Sequence, residues 1–532
     1  MPVQLAYKPI RAPREHGRAL IDPAWDLIAG MIEENWNSAV RTACEVQGVS
    51  WQRLRTEARQ HLIQEARRHT LAYRDTELDA CNAGPVILAG HQPQLFHPGV
   101  WFKNFALSAL ARQSGGQAIN LLIDNDILRN PSIRVPAGSA AEPHVTSVSL
   151  DGVVAAIPFE ERAVADAELF DSFAARVQAV SHEVLSQPLI AEFWNLVREA
   201  RLRSDNLGRC LAEARHRLEG RWNQHTWEVP LSTVCESPAF ARFAAHLLVH
   251  LPQLREIYNA SLHEYRLVNH VRSRAHPVPD LELDGPWCEA PFWLWSDASP
   301  ARKRAFVRAG AQGLELTDRE GIQLQLPMTA DAAGDQAVEA LRTLAQQGVK
   351  LRPRALVTTM YARLVLCDLF LHGIGGAKYD QLTDLIIDRF FGLRPPGFVT
   401  LSATLLLFDD RTAELRERIR SEKRRLRELR FQPERHVVPS DATDRWTVAK
   451  RSWISSCPPR GQRRTRHDEI ARLNARLSAT LEREREQAAA QLGVWTADLR
   501  RQSNLASREF SFCLFAEEEL RPLLLDLSRG RA

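Results

Sequence analysis

The sequence is short of the features that decide many cases quickly. No apolar run reaches 18 residues, so nothing reads as a membrane-spanning helix. The opening MPVQLAYKPIRAPREHGRAL holds no apolar core of the secretory kind. The eight cysteines (Cys44, Cys81, Cys210, Cys235, Cys288, Cys367, Cys457 and Cys513) are scattered, with no C-x-x-C pair. That excludes a zinc knuckle and a disulfide framework, and makes reduced thiols in a cytoplasm the expectation. Charge of one sign is also lacking: 69 basic against 65 acidic residues leave +4. Overall charge therefore gives no reason to expect a nucleic-acid partner, and none is expected. With 532 residues the chain exceeds a single core, so two to four domains are expected.

What is present concentrates in a few stretches. Residues 1–80 read as an N-terminal helical arm, with Leu27, Ile28, Met31 and Ile32 at helical spacing. Pro85–Ala89 reads as a buried strand, Val100–Ala111 as a helix ended by Gly115-Gly116, and Ala118–Ile123 as a second strand. Strand, helix and strand in so short a span predict a βαβ unit, hence a parallel sheet. The expected fold class is α/β. A Rossmann-like parallel-sheet core occupies 81–150 and 331–405, with a mainly helical, partly mixed insertion over 151–330. A C-terminal antiparallel coiled-coil hairpin covers 406–495, around a polar linker at 431–468, and a packing tail covers 496–532. In that tail Phe510, Phe512, Phe515 and Leu520 are expected to pack back onto the protein.

The loop after the first strand, AGHQPQLFHPG, places Gly90, His91 and Gln92 at a strand end, His97 just before a helix and Lys103 one turn inside it. Such a loop opens at the ligand crevice of a parallel sheet, where helix N–H groups favour anions. Two imidazoles and an ammonium there fit a phosphate or carboxylate. The second strand ends in LLIDND, whose Asp124 and Asp126 share that rim. They suit a ribose hydroxyl, a substrate ammonium or a base, or else serve the turn itself. A third strand, read over Leu364–Leu371, runs into HGIGGAKYD with Gly375, Gly376 and Lys378. Its glycines allow close backbone approach to a ligand, and Arg352 and Arg354 are expected to reach the same crevice. No metal is expected, because no ligand pair has i, i+4 spacing. Trp293 and Trp295 are expected in the core. Residues 411–430 carry nine Arg/Lys against four Glu, read as a solvated helical face, with contact to RNA or another acidic partner as the alternative.

Three of these blocks, in order, resemble the bacillithiol biosynthesis cysteine-adding enzymes. AGHQPQLF with its later lysine is similar to their T-G-Q-Q-x-x-L-F segment, LLIDND to a strand ending in E-D-x-D, and LRPRAL with GIGGAKYDQL to an R-P block and a G-G-P-G-E-I-x-Y loop. The resemblance covers about 90 residues of matching segments. It carries over Gly90, Gln92 and Lys103, then Asp124 and Asp126, then Gly375, Gly376 and Tyr379. Three departures stand out: His91 replaces a glutamine, Lys103 comes about two residues early, and Lys378 stands near an acidic position. The resemblance implies a ligase that adds cysteine, or another amino acid, to an amino-sugar acceptor such as glucosaminyl-malate. It also implies ATP or ADP at the site and a homodimer formed through the coiled coil. The alternatives are a catalytically altered small-molecule or RNA-binding protein on this scaffold, or a transferase with another substrate.

Overall fold

The computed structural model describes residues 5–75, 84–139, 142–328, 334–457 and 459–530, so Cys81 lies outside the described residues. The chain begins with β1 (Arg18–Asp22), α1 (Ile28–Arg41), a small hairpin of β2 (Glu45–Val46) and β3 (Val49–Ser50), and α2 (Trp51–Leu71). Then come β4 (Val86–His91), α3 (Pro98–Ser114), β5 (Gln117–Leu122) and a hairpin of β6 (Ser132–Gly138) and β7 (Pro143–Ser149). Helices α4 (Ala167–Ser181), α5 (Ile190–Arg201) and α6 (Leu207–Arg221) lead to β8 (Trp227–Pro230), followed by α7 (Leu231–Cys235), α8 (Pro238–Val249) and α9 (Leu251–Val268). An antiparallel sheet follows from β9 (Leu283–Asp284), β10 (Trp287–Ser296), β11 (Ser299–Gly310), β12 (Gly313–Thr317) and β13 (Gln323–Leu326). It is completed after α10 (Gly334–Gln346) by β14 (Val349–Pro353). Helix α11 (Ala355–Tyr361), β15 (Leu369–His372), α12 (Ile374–Ile386) and β16 (Phe398–Thr404) finish this part.

The first sheet has the order β1-β16-β15-β4-β5-β8. β1 runs antiparallel to β16; the other five strands are parallel. Numbered among themselves along the chain, from β8 to β16 they stand 3-2-1-4-5. The chain thus leaves β4 toward one side and later returns to its other side, and the strand order reverses between β4 and β15. The strands are almost wholly apolar: Val86–Ala89 and Gln117–Leu122 are buried throughout, as a parallel sheet covered on both faces requires. Helix α3 is buried on nearly every side, Trp101, Phe102, Phe105 and Leu107 included. Gly115 ends it at φ 63°, a left-handed C-cap suited to glycine.

Several expectations are revised by this arrangement. The N-terminal arm supplies the edge strand β1, so it is not helical alone. The region 151–330 contains β8, a strand of the first sheet too short to show a period of its own. The strand read over Leu364–Leu371 starts later than expected: α11 continues as a wide helical turn through Leu366, and β15 begins at Leu369. Buried apolar runs of this length fit either state from pattern alone. The tail meets expectation: Phe510, Phe512, Phe515 and Leu520 are buried, and the Phe512 ring lies 4.3 Å from Trp101 and 5.1 Å from Phe193. That tail closes with α17 (Glu517–Leu527).

By contact the chain divides in two. One unit comprises 1–135, 146–405 and 508–532, and the other 136–145 and 406–507. The second unit is helical: α13 (Thr412–Phe431), α14 (Asp441–Ser455), α15 (Arg463–Ala479) and α16 (Glu482–Leu505). Helices α13 and α16 pack together, as do α14 and α15. The span 431–468, read as a linker, contains α14. A Ser440/Thr443 capping box starts that helix.

Candidate functional site

A cleft of about 520 Å³ opens beyond the carboxyl ends of β5 and β8, lined among others by Arg68, His69, Asp124, Glu160, Arg209 and Ser232. Asp124 begins the turn that follows β5, just beyond Ile123. Ser232, in the first turn of α7 after β8, donates both its N–H (3.0 Å) and its hydroxyl to the Asp124 carboxylate. Glu160 is brought alongside by the backbone, its N–H donating to the Asp124 carbonyl at 2.8 Å. Arg352 of β14 then clamps the Glu160 carboxylate through two bonds, Nη2–Oε1 at 2.7 Å and Nε–Oε2 at 3.1 Å. Burial, helped by the charge of Glu160, outweighs the Ser232 donors and pushes the Asp124 pKa up to about 7. Burial and the nearby Arg209 and Arg68 hold His69 down to about 4, so its imidazole is neutral at pH 7. The cleft therefore joins a carboxylate that titrates near neutrality to two guanidinium groups. Cys235, next to this group, is a buried thiol with its pKa pushed well up by burial, which rules it out as a thiolate nucleophile at neutral pH.

The other predicted residues scatter along the same sheet edge. Gln92 donates to Asp126 at 2.9 Å, and Arg302 pairs with Asp126 at 3.0 Å. Asp126 also accepts from the Ile127 N–H, so it is a turn residue with its charge matched. His91 does not face the crevice. It is 5% exposed, with Nδ1 3.1 Å from the Gln92 carbonyl and Nε2 3.2 Å from Asn104, and burial drives its pKa well below the usual value. His97 is the N-cap of α3: its Nδ1 accepts from the Gly99 N–H at 3.1 Å, and burial holds its pKa to about 4. Neither histidine is a cationic grip at neutral pH.

Lys103 is buried, donates to the Gly90 carbonyl at 2.8 Å and has no carboxylate partner among the described residues; burial lowers its pKa to about 8. Arg354 turns away to Glu289 (2.7 Å), and Arg352 reaches the wall of the Asp124 cleft, so neither arginine meets the glycine loop. In that loop Gly375 and Gly376 form the first turn of α12, with Tyr379 half-buried and Lys378 exposed. The adjoining His372 is tied to Asp380 at 2.7 Å. Trp295 is core as expected. Trp293 is only half-buried, with the guanidinium groups of Arg302 and Arg354 each 4.5 Å from its ring centroid.

A buried ionic network was not foreseen. Glu219 accepts from Trp101 (2.6 Å), Asn104 (2.7 Å) and Arg215 (2.6 Å), and Arg215 also bonds Glu228, which Asn120 reaches at 2.6 Å. His216, Glu219 and Glu228 have ligand atoms close enough to surround a metal ion. The Arg215 guanidinium already bridges both carboxylates, and His216 is engaged by Tyr73 (2.8 Å) and Thr226 (3.0 Å), so the atoms that would ligate a cation are already taken. Through Asn104 this network holds His91, which explains why that histidine points inward. Ser232 and Glu160, the other partners missed, lie after a four-residue strand and in a short 3-10 turn, where sequence periodicity is silent. Compared with known proteins, the chain matches no family model and no curated relative.

Proposed function

We propose that the chain is a ligase that joins an amine to a carboxyl group at the Asp124 cleft. The observation that carries this reading is a carboxylate with a pKa of about 7 on the wall of a polar cleft at the carboxyl edge of a parallel sheet. The 3-2-1-4-5 strand order supports the Rossmann-like reading of the core. The volume suits a small molecule. In this reading Arg68 and Arg209 hold an anionic group of the acceptor. Asp124 takes a proton from the amine as its nitrogen forms the bond to the carbonyl carbon, and the bond from that carbon to the leaving oxygen of the activated carboxyl group breaks, the leaving group departing as an anion. Ser232 fixes the orientation of the carboxylate, Glu160 keeps it basic, and Arg352 keeps Glu160 in place. The resemblance of the three sequence blocks makes cysteine and an amino-sugar acceptor such as glucosaminyl-malate the first substrates to try.

For a nucleotide, α3 does not fit. Its Gly99 N–H is taken by His97, and a Cβ on Gly99 would stand 2.1 Å from the Ala403 carbonyl. The first turn of α12 does fit, since Gly373 caps it without a side-chain bond and a Cβ there meets nothing within 4 Å. A bound nucleotide would supply activation of the carboxyl group. A homodimer belongs to this proposal; the coiled-coil reading of α13 and α16 rests on their mutual packing within one chain.

Thermal shift with cysteine, glucosaminyl-malate, ATP and ADP tests the proposal, with product followed by mass. A ligand at 100 times its dissociation constant stabilises the fold by about 2.7 kcal/mol. Ligand shifts and amide product in the wild type, with no product from Asp124→Asn, support it. Equal ligand shifts and no product from either protein would make this a binding module.

A further inference from the structure

The near-neutral charge of the whole chain conceals a division. The helical unit, 136–145 with 406–507, holds 23 Arg and Lys against 16 Asp and Glu, or +7. The remainder holds 46 against 49, or −3. Within the helical unit the imbalance is localised. On α13 the buried Thr412, Leu415, Ile419, Glu422 and Leu429, with half-buried Leu426, recur every three or four residues and form the seam of that helix. Arg416, Arg420, Lys423, Arg424 and Arg427 are exposed and share another face, a stripe about 16 Å long. Arg420 pairs with Glu417; the other four have no carboxylate within 4.0 Å among the described residues. At the end of the helix Phe431 is 53% exposed, with the Arg430 guanidinium 5.1 Å from its ring centroid. In the same unit Arg445, Arg451, Arg463 and Arg464 are exposed and likewise have no carboxylate partner among the described residues.

We propose that this face of the helical unit binds a single nucleic-acid strand through its phosphodiester backbone. Cations repeated at every turn of a rigid helix repel one another, and carboxylates of the unit do not offset them. A strand with one phosphate per nucleotide matches that repetition and releases its counterions on binding. The exposed Phe431 with Arg430 beside it offers a base a stacking surface, as sites for single strands commonly do. A lipid surface fits less well, because a helix lying on a membrane places a row of large apolar side chains beside its cations, and on α13 Phe431 alone among them is exposed, the leucines and Ile419 being buried or half-buried in the seam. A second copy of the chain would bring two positive stripes together.

The test is fluorescence anisotropy of a labelled 20-nucleotide oligouridylate against the full chain over a salt series. Vesicles containing phosphatidylserine serve as the competing partner. Binding at about 50 mM salt is expected, with affinity falling linearly in log–log form. The variant Arg416→Glu/Lys423→Glu/Arg424→Glu/Arg427→Glu should bind at least tenfold more weakly, with a salt slope smaller by about 3. The variant Arg416→Lys/Arg424→Lys/Arg427→Lys should retain binding, which separates charge from folding. Phe431→Ala should weaken binding about fivefold with the slope unchanged. No binding at low salt, equal binding by the charge-reversed variant, or tighter binding to the vesicles would overturn the proposal.

Discussion

The two halves of the sheet's carboxyl edge solve the same packing problem with opposite electrostatic results. Beyond β5 and β8, Asp124 is held by the neutral donors of Ser232 and stands near another carboxylate, so its affinity for a proton rises. Beyond β4, a histidine caps α3, another histidine is locked into a buried network, and the Asp126 carboxylate is matched by Arg302. Titration near neutrality survives only where charge is left incompletely matched. The exception on the β4 side is Lys103, a buried ammonium whose one hydrogen bond among the described residues is to a carbonyl.

The largest expected effect breaks the Asp124 side. Asp124→Asn should lower kcat/KM by about 10²- to 10⁴-fold, the usual worth of a positioned base. Because folding raises this pKa, the ionised group opposes folding increasingly as pH rises from about 4 through 7. Thermal denaturation should therefore find the variant gaining more stability over wild type at pH 8 than at pH 5. Arg352→Met should destabilise the fold by about 3 kcal/mol in urea denaturation, since it removes the two-bond partner of the largely buried Glu160 and leaves it only Lys350 at 3.8 Å.

Lys103→Met tests the other half. It removes a cation that burial disfavours, so stability at pH 7 should rise by about 1–3 kcal/mol. Since the folded pKa of Lys103 is lowered to about 8, the gain over wild type should shrink as pH climbs through 8 toward 10.5. The smallest effect sharpens the comparison. Glu160→Gln removes a neighbouring negative charge, so the acid limb of the kcat/KM profile, expected near pH 7, should move to lower pH by about one unit. An unmoved limb would mean that burial alone sets the Asp124 pKa.

The parts of this picture that follow from local rules were legible in the sequence. Val86–Ala89 and Ala118–Leu122 announce buried strands by apolar runs broken only by Asn120. Gly115 marks the end of α3, and the phenylalanines after Ser507 return to the core. The position of Asp124 at a strand end was legible for the same reason. Its partners were not: Ser232 and Glu160 lie 108 and 36 residues away along the chain, and Arg352 comes from another sheet. Whether His91 faced the crevice or the interior depended on Asn104 and the Glu219 network, which no local pattern encodes. The whole-chain charge misled in another way, because it summed two units of opposite sign.

The proton affinity of Asp124 can be measured without knowing the substrate. Protein labelled with ¹³C at aspartate carboxyl carbons, titrated by NMR beside Asp124→Asn to assign the resonance, reports it directly. A midpoint near pH 7 is expected. A midpoint near 4, the ordinary range for an aspartate, would contradict it and leave the cleft without a base.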